Sequence, residues 1–453
     1  MAHDHNDTIA ALATPSGESA IALIRVSGPA AAKLAESIFG RPPLPRLVRH
    51  ADYRDTEGRV LDDVLYTFFG APNSYTGEDS LEISCHGSPF IAQRILSDLL
   101  MRGCLSAEPG EFTKRAFLGG RMDLSQAEAV MDLIHARSER ALEAANRQLR
   151  GALGKYIAGS IERLVEIVAL VEAYIDFPEE DLPTEDRNRL LAMVEDLRKD
   201  LDRLLATAHY GALVRDGVRT VILGEPNAGK SSLLNRLLGW DRALVSPEPG
   251  TTRDYLEEPH VLGAHKLRFI DTAGLNPAPG EIERRGIERT MEQAAEADLF
   301  LLVLDVSRPR PALPGAITSR MTPQNTVVAW NKIDLGSADR ADDNPWAAFP
   351  QVETSAREGT GIEELEKTLT RLIDRERIEI DGDLIAINAR HATDLTDAGA
   401  CLDAAQAKLA TGAADELMAA DLRGALDALG RIGGRVDHER ILDRLFSSFC
   451  IGK

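Results

Sequence analysis

The sequence predicts a multidomain protein of α/β and α class, with a parallel-sheet domain inserted into a helical one. Three observations carry this. The chain has 453 residues, too many for one core. At Gly217 the apolar pattern changes from helical three- and four-residue spacing to short buried runs alternating with helical stretches. From about Asp383 the helical pattern returns and continues to Phe449. A helical segment on each side of an α/β unit is most simply one domain interrupted by another, because domain termini often lie close together.

The first part is mixed α/β. The segments 20–26, 63–69 and 80–84 are strand-like and separated by Ser27-Gly-Pro, Gly70-Ala-Pro-Asn and Cys85-His-Gly turns. Residues 90–101 form a helix with Ile91, Ile95, Leu96 and Leu99 on one face. Helices follow over 127–148, 161–175 and 190–205, and Leu164, Ile167, Val168 and Val171 make one apolar stripe. The segment from Asp176 to Pro183 interrupts that pattern. Strands then fall at 218–223, 267–270, 299–304 and 326–330. The resulting divisions are 1–120, 121–213, 214–376 and 377–453.

Net charge is 52 − 72 = −20, which opposes a general nucleic-acid-binding surface. No stretch is apolar enough to span a bilayer, and Met1–Asn6 lacks a basic-then-apolar signal, so the expectation is a cytoplasmic protein without a membrane. The four cysteines include no CxxC pair, which argues against zinc and against a disulfide framework.

Gly224-Glu-Pro-Asn-Ala-Gly-Lys-Ser231 fits G-x-x-x-x-G-K-[ST] and lies between a buried strand and a helix beginning at Ser232. In such a loop the main-chain N–H groups from Asn227 through Ala228, Gly229, Lys230, Ser231 and Ser232 cradle phosphates. Lys230 reaches the β- and γ-phosphates, and the Ser231 hydroxyl serves Mg²⁺. Asn331-Lys332-Ile-Asp334 follows another strand. The Asp334 carboxylate can accept from guanine N1–H and the exocyclic amine, at roughly 1.5–3 kcal/mol per charge-assisted bond, a pair adenine does not offer. Asp271-Thr272-Ala273-Gly274 ends a third strand, where Asp271 can hold Mg²⁺ through water and Gly274 N–H can sense the γ-phosphate. Ser355-Ala356-Arg357 supports the base through its backbone. With this order of motifs at strand ends, the chain resembles the translation-factor-related GTPases.

Leu275 follows Gly274 where Ras-type enzymes carry a water-orienting glutamine, so the attacking water must be oriented from elsewhere, and Glu283 is a nearby acidic candidate. In Gly250-Thr251-Thr252-Arg-Asp254, Thr252 can complete Mg²⁺ coordination. The Asn227 side-chain oxygen could bind a monovalent cation beside the phosphates and offset charge as an arginine finger does.

Outside these motifs lie four further stretches: Gly70-Ala-Pro-Asn-Ser-Tyr-Thr-Gly-Glu-Asp79 with Leu81-Glu-Ile83 and Gly87; Pro109–Phe117 leading into Met122–Ala129; Ile175-Asp-Phe-Pro178; and the terminal Phe446–Lys453. With these residues the chain resembles the MnmE (TrmE) tRNA-modifying GTPases over essentially its whole length. The resemblance implies a folate-binding N-terminal domain that dimerises, a discontinuous helical domain and an inserted GTPase domain. It implies K⁺-dependent GTP hydrolysis, with Asn227, Ser246, Glu248 and Thr251 at the K⁺ site, Ser231 and Thr252 on Mg²⁺, and Glu283 orienting the water. Pro247 and Pro249 lie in the same loop, which like Asn276-Pro-Ala-Pro-Gly280 is atypically rich in proline. Arg25, Glu82, Arg121 and Lys453 match positions for a 5-formyl- or methylene-tetrahydrofolate, and Arg121 stands where a lysine is expected. The implied reaction installs a carboxymethylaminomethyl group at carbon 5 of the wobble uridine of certain tRNAs, with an FAD-dependent partner subunit that takes much of the tRNA contact. Cys450 is either a reactive thiol or a packed helix-end residue. The competing readings are a GTP-dependent switch or assembly factor without covalent chemistry, which would need no folate pocket, and a membrane-linked GTPase, which the acidic surface disfavours.

Overall fold

The computed structural model describes residues 7–176, 184–238, 257–271, 295–309, 313, 315–336, 345–378, 385–411, 415–434, 445–446 and 449–452. It divides into two compact units, one of Met1–Met131, Gln148–Leu197 and Asp397–Lys453, the other of Asp132–Arg147 and Arg198–Thr396. Among the described residues, no helix is long and apolar enough to cross a membrane.

The first unit opens with β1 (Ile9–Leu12), β2 (Ile21–Ser27), α1 (Ala31–Phe39), β3 (Arg49–Arg54), β4 (Val60–Phe69), β5 (Ser80–His86), α2 (Pro89–Met101), β6 (Leu105–Ser106) and α3 (Glu111–Leu118). The strands form one sheet in the order β3-β4-β5-β2-β1-β6, antiparallel except for the β1–β6 pair. Alternation places Ile24, Val26, Val64, Tyr66, Phe68, Leu81 and Ile83 in one core with Leu34, Ile38, Ile95 and Leu99 of the helices. Tyr53 and Asp98 are also buried there, with the phenol hydroxyl 2.9 Å from the carboxylate. The four-residue β1 and two-residue β6 are too short for an alternating pattern to stand out, and β3 carries His50, Asp52 and Arg54 where an apolar face would be read.

Helices α4 (Leu124–His135), α5 (Glu139–Leu149), α6 (Ala152–Asp176) and α7 (Thr184–Ala206) follow. The single helix expected over 127–148 is thus two helices. Ser138 sits at the break, and its hydroxyl accepts from the Ala141 amide at 3.2 Å. Its own polar side chain competes for the backbone and starts a new helix. Asp123 and Gln126 form a reciprocal cap at the start of α4. The Asp123 carboxylate accepts from the Gln126 amide at 2.8 Å and the Gln126 side chain accepts from the Asp123 amide at 2.9 Å. The stripe Leu164, Ile167, Val168 and Val171 of α6 is buried.

The second unit contains α8 (Ala208–Asp216), β7 (Val218–Leu223), α9 (Lys230–Leu237), β8 (Glu257–Leu262), β9 (His265–Asp271), β10 (Leu299–Asp305), α10 (Gly315–Thr318), β11 (Thr326–Asn331), β12 (Gln351–Glu353) and α11 (Ile362–Ile378). The sheet order is β12-β11-β10-β7-β9-β8, parallel except for the edge strand β8. Alternate residues of its central strands enter two separate cores. Ile222, Leu301, Val303, Val327 and Ala329 face one side, and Val221, Phe300, Leu302, Val328 and Trp330 face the other. Burial on both faces explains why these strands read as unbroken apolar runs.

The chain closes with α12 (Ala389–Thr411) and α13 (Asp415–Ile432). Within the first unit, α13 buries Met418, Leu422, Ala425 and Leu429, and Arg423 bridges to Glu172 of α6 at 2.6 Å.

Candidate functional site

The loop after β7 is shaped by close backbone approach. Gly224 has φ +146°, and a Cβ there would lie 2.2 Å from the Val303 carbonyl oxygen. Gly229 has φ +93°, and a Cβ there would lie 2.2 Å from the Asn331 side-chain nitrogen. A side chain at either position would push the loop off its neighbours. Asn227 adopts φ +67°, the left-handed region asparagine tolerates.

Helix α9 begins at Lys230 rather than at Ser232, so its first turn lies directly on the loop. Lys230 is buried, and its ammonium donates to the Gly224 and Glu225 carbonyls, each at 2.7 Å. The cation is therefore fixed above the loop, beside the N-terminus of α9, where main-chain N–H groups and the helix dipole favour an anion. Ala228 is buried, whereas Ser231 and Ser232 are exposed on the first turn. A basic residue over exposed hydroxyls is a donor set that suits a polyphosphate carrying a hard divalent cation.

The Asn-Lys-x-Asp motif lies at the end of β11. Asn331 is buried; its Nδ2 donates to the Ala228 carbonyl at 2.9 Å and its Oδ1 accepts from the Ala356 amide at 3.0 Å. Lys332 takes φ +67°, and its ammonium donates to Asp305 at 2.7 Å. The Ser355 hydroxyl donates to the Asp334 carboxylate at 2.6 Å. The structure thus brings Asn227, Ala228, Gly229, Lys230, Asn331, Lys332, Asp334, Ser355 and Ala356 into one connected cluster at the carboxyl ends of parallel strands, where ligands of open α/β sheets bind. Arg357 continues the turn after Ala356.

Sequence reasoning passed over Asp305. It closes β10 and pairs in register with Asn331. Burial opposes its ionisation, but hydrogen bonds from Lys332 and Ser307 outweigh this and hold its carboxyl below the usual carboxylate range. The available signal was an acidic residue ending the apolar run Leu299–Leu304.

Of Asp271 only the main chain, as the last residue of β9, is described. Ser246, Pro247, Glu248, Pro249, Gly250, Thr251, Thr252, Thr272, Ala273, Gly274, Glu283 and Lys453 lie outside the described residues.

A second cluster occupies the first unit. Arg25 on β2 donates through Nε and Nη2 to Glu82 on β5, at 3.0 and 2.9 Å, across a register that pairs the two residues directly. The guanidinium also lies 5.3 Å from the Tyr75 ring centre and 5.7 Å from that of Phe112. Its Nη1 reaches the Gly452 carbonyl at 3.4 Å, so the C-terminal tail arrives beside Arg25. A carboxylate, a guanidinium and aromatic faces are groups that suit a flat heterocycle with amino and carbonyl edges. Arg121 lies along Gly77, two residues from Tyr75. Cys450 is exposed, and its carbonyl accepts from Gly110 N–H at 3.4 Å.

The strand, glycine loop, helix and Asn-Lys-x-Asp turn on a parallel sheet define a P-loop protein of the GTPase class. The model of the MnmE helical domain matches residues 124–450, and that of the GTP-binding protein TrmE N-terminus matches residues 8–121. The chain is 56% identical to the tRNA modification GTPase MnmE of Opitutus terrae, over 99% of each chain. It is 45% identical to that of Akkermansia muciniphila, over 99% of this chain and 100% of the relative. It is 43% identical to that of Halorhodospira halophila, over 99% and 96%. The chain belongs to the MnmE family of tRNA modification GTPases.

Proposed function

We propose that this protein hydrolyses GTP in the modification of tRNA. The observation that carries this is the connected cluster in which Asn331 bonds to the glycine loop through Ala228 while Ser355 braces Asp334, the carboxylate that would read guanine. In this reading Lys230 exchanges its two loop carbonyls for β- and γ-phosphate oxygens. The main-chain N–H groups of residues 227–232 hold the remaining oxygens. Ser231 and Thr252 would ligate Mg²⁺, which neutralises charge on the phosphates. Asn227, with Ser246, Glu248 and Thr251, would hold K⁺, which supplies a second positive charge beside the transferred group. Glu283 orients the water.

The finer reaction is installation of carboxymethylaminomethyl at carbon 5 of the wobble uridine, together with an FAD-dependent partner. Arg25 and Glu82, with Arg121 and Lys453, would bind the tetrahydrofolate that supplies the one-carbon unit. The charge and aromatic setting of Arg25 support that reading. The protein acts as a homodimer in this scheme, and GTP turnover drives conformational change rather than the carbon chemistry.

Steady-state hydrolysis of GTP and ATP in potassium buffer, with GTP repeated in sodium, tests the nucleotide half. Turnover of GTP alone, and only with K⁺, is expected. Equal rates in the two buffers would remove the cation role of Asn227, and turnover of ATP would remove the base-reading role of Asp334. Equilibrium binding of 5-formyltetrahydrofolate to the full chain and to Glu82→Ala tests the second site; undiminished binding by the variant would remove Glu82 from it.

A further inference from the structure

We infer that Arg236, in the last turn of α9, is a positioning residue for guanine recognition. This rests on the guanine-nucleotide reading of the cluster above and extends it to a residue outside the nucleotide motifs.

Helix α9 begins under the phosphate loop and ends beside the turn that follows β12. From its last turn, Arg236 Nε donates to the Ala356 carbonyl at 3.3 Å and Nη2 donates to the Arg357 carbonyl at 2.9 Å. The planar guanidinium spans two successive carbonyls, a fork that a single ammonium cannot reproduce. Its charge also complements the carboxyl end of α9.

The turn is closed on its other side by its own bonds. Ser355 N–H donates to the Thr360 carbonyl at 3.0 Å, and Gly359 N–H donates to the Ser355 carbonyl at 2.8 Å. It touches the site at two points. The Ser355 hydroxyl donates to Asp334, and the Ala356 N–H donates to the buried Asn331. Arg236 therefore holds the two peptide units that directly follow the one bonded to Asn331, next to the Ser355 hydroxyl that orients the guanine-reading carboxylate. The other end of the same helix carries Lys230, so one rigid element sets both the phosphate contact and the height of the base-reading turn. Without the grip, Ser355 and Asp334 lose their fixed alignment. The cost falls on the contact that depends most on that alignment, the pair of bonds from the carboxylate to N1–H and the 2-amino group.

Hypoxanthine keeps N1–H and lacks the 2-amino group, so the ratio of affinities for GDP and IDP isolates the 2-amino half of this contact. Both are measured by calorimetry on the full-length wild-type protein, Arg236→Ala and Arg236→Lys. Arg236→Ala is expected to weaken GDP by about tenfold and IDP by less, narrowing the GDP:IDP preference, with Arg236→Lys intermediate. A purely structural role for Arg236 would weaken both nucleotides in proportion. An unchanged GDP:IDP preference in Arg236→Ala, at any overall affinity, overturns the inference. If Arg236→Ala does not fold, the lysine variant decides by the same ratio. A wild-type protein that binds GDP no better than ADP would instead overturn the guanine reading itself.

Discussion

The Asn331 side chain donates to the Ala228 carbonyl across 2.9 Å, joining the end of β11 to the middle of the phosphate loop. Its other amide atom accepts from Ala356. One buried side chain thus ties together the glycine loop after β7 and the turn after β12.

Asn331→Ala leaves the Ala228 carbonyl and the Ala356 amide without this partner. Orphaning the buried Ala228 carbonyl costs about 1–3 kcal/mol, and the half-buried Ala356 amide adds less. We expect GDP affinity to fall about a hundredfold. The melting temperature of the nucleotide-free protein should also fall. Calorimetry and thermal unfolding check both, and wild-type affinity in the variant would contradict the link.

Asp305→Asn tests the anchor under Lys332. Because the folded carboxyl titrates below its ordinary value, its ion pair contributes stability that is fully present above about pH 4 and is lost as pH falls through the lowered value. The wild-type protein should therefore lose part of its stability on that acid limb. Asp305→Asn should be less stable at neutral pH and show a shallower acid limb. Melting curves from pH 7 to pH 3 on both proteins measure this. Parallel curves would show that the pair does not contribute.

Gly361→Ala should destabilise the second unit by at least about 2 kcal/mol. Gly361 has φ +75°, and a Cβ there would sit 1.8 Å from the Glu353 carbonyl oxygen, with no flexible side chain able to give way. Denaturant unfolding monitored by Trp330 and Trp346 fluorescence reads the change.

Asp98→Ala should cost the first unit about 3–5 kcal/mol. The buried carboxylate accepts from Tyr53 at 2.9 Å, from the Thr56 amide at 2.9 Å and from Arg102 at 2.6 Å, so its removal strands three donors. GDP affinity, which depends on the other unit, should change little. A matching loss of GDP binding would contradict that separation.

Cysteine alkylation of the native protein at pH 8 should label Cys450 first. Cys450 is exposed, while Cys85 and Cys104 are buried, and burial pushes their thiols up to about 11. In denaturant Cys85 and Cys104 should react as well. Mass spectrometry of the labelled peptides gives the order, and early labelling of Cys104 would contradict its burial.

Long regular patterns made much of the fold legible. The strands β7, β10 and β11 follow from apolar runs buried on both faces, and the α6 stripe follows from helical spacing. The strands β3 and β12 were not legible. His50, Asp52 and Arg54 carry no core signal, and β12 has only three residues whose pairing with β11 is a tertiary event. The break at Ser138 was missed because a polar residue inside a helical stretch reads equally well as an exposed position.

The sequence by itself determined the order of the nucleotide motifs and the residue types that phosphate and guanine require. Local chemistry suffices for that: a glycine turn before a helix, a lysine, and a carboxylate after a buried strand. Only the tertiary structure decided which distant residues hold those groups in place. Asp305 lies 27 residues from Lys332 and Arg236 lies 120 from Ala356, yet each pair is in contact. No periodicity encodes such pairs, because they arise only when strand register and helix position bring separate segments to the same end of the sheet.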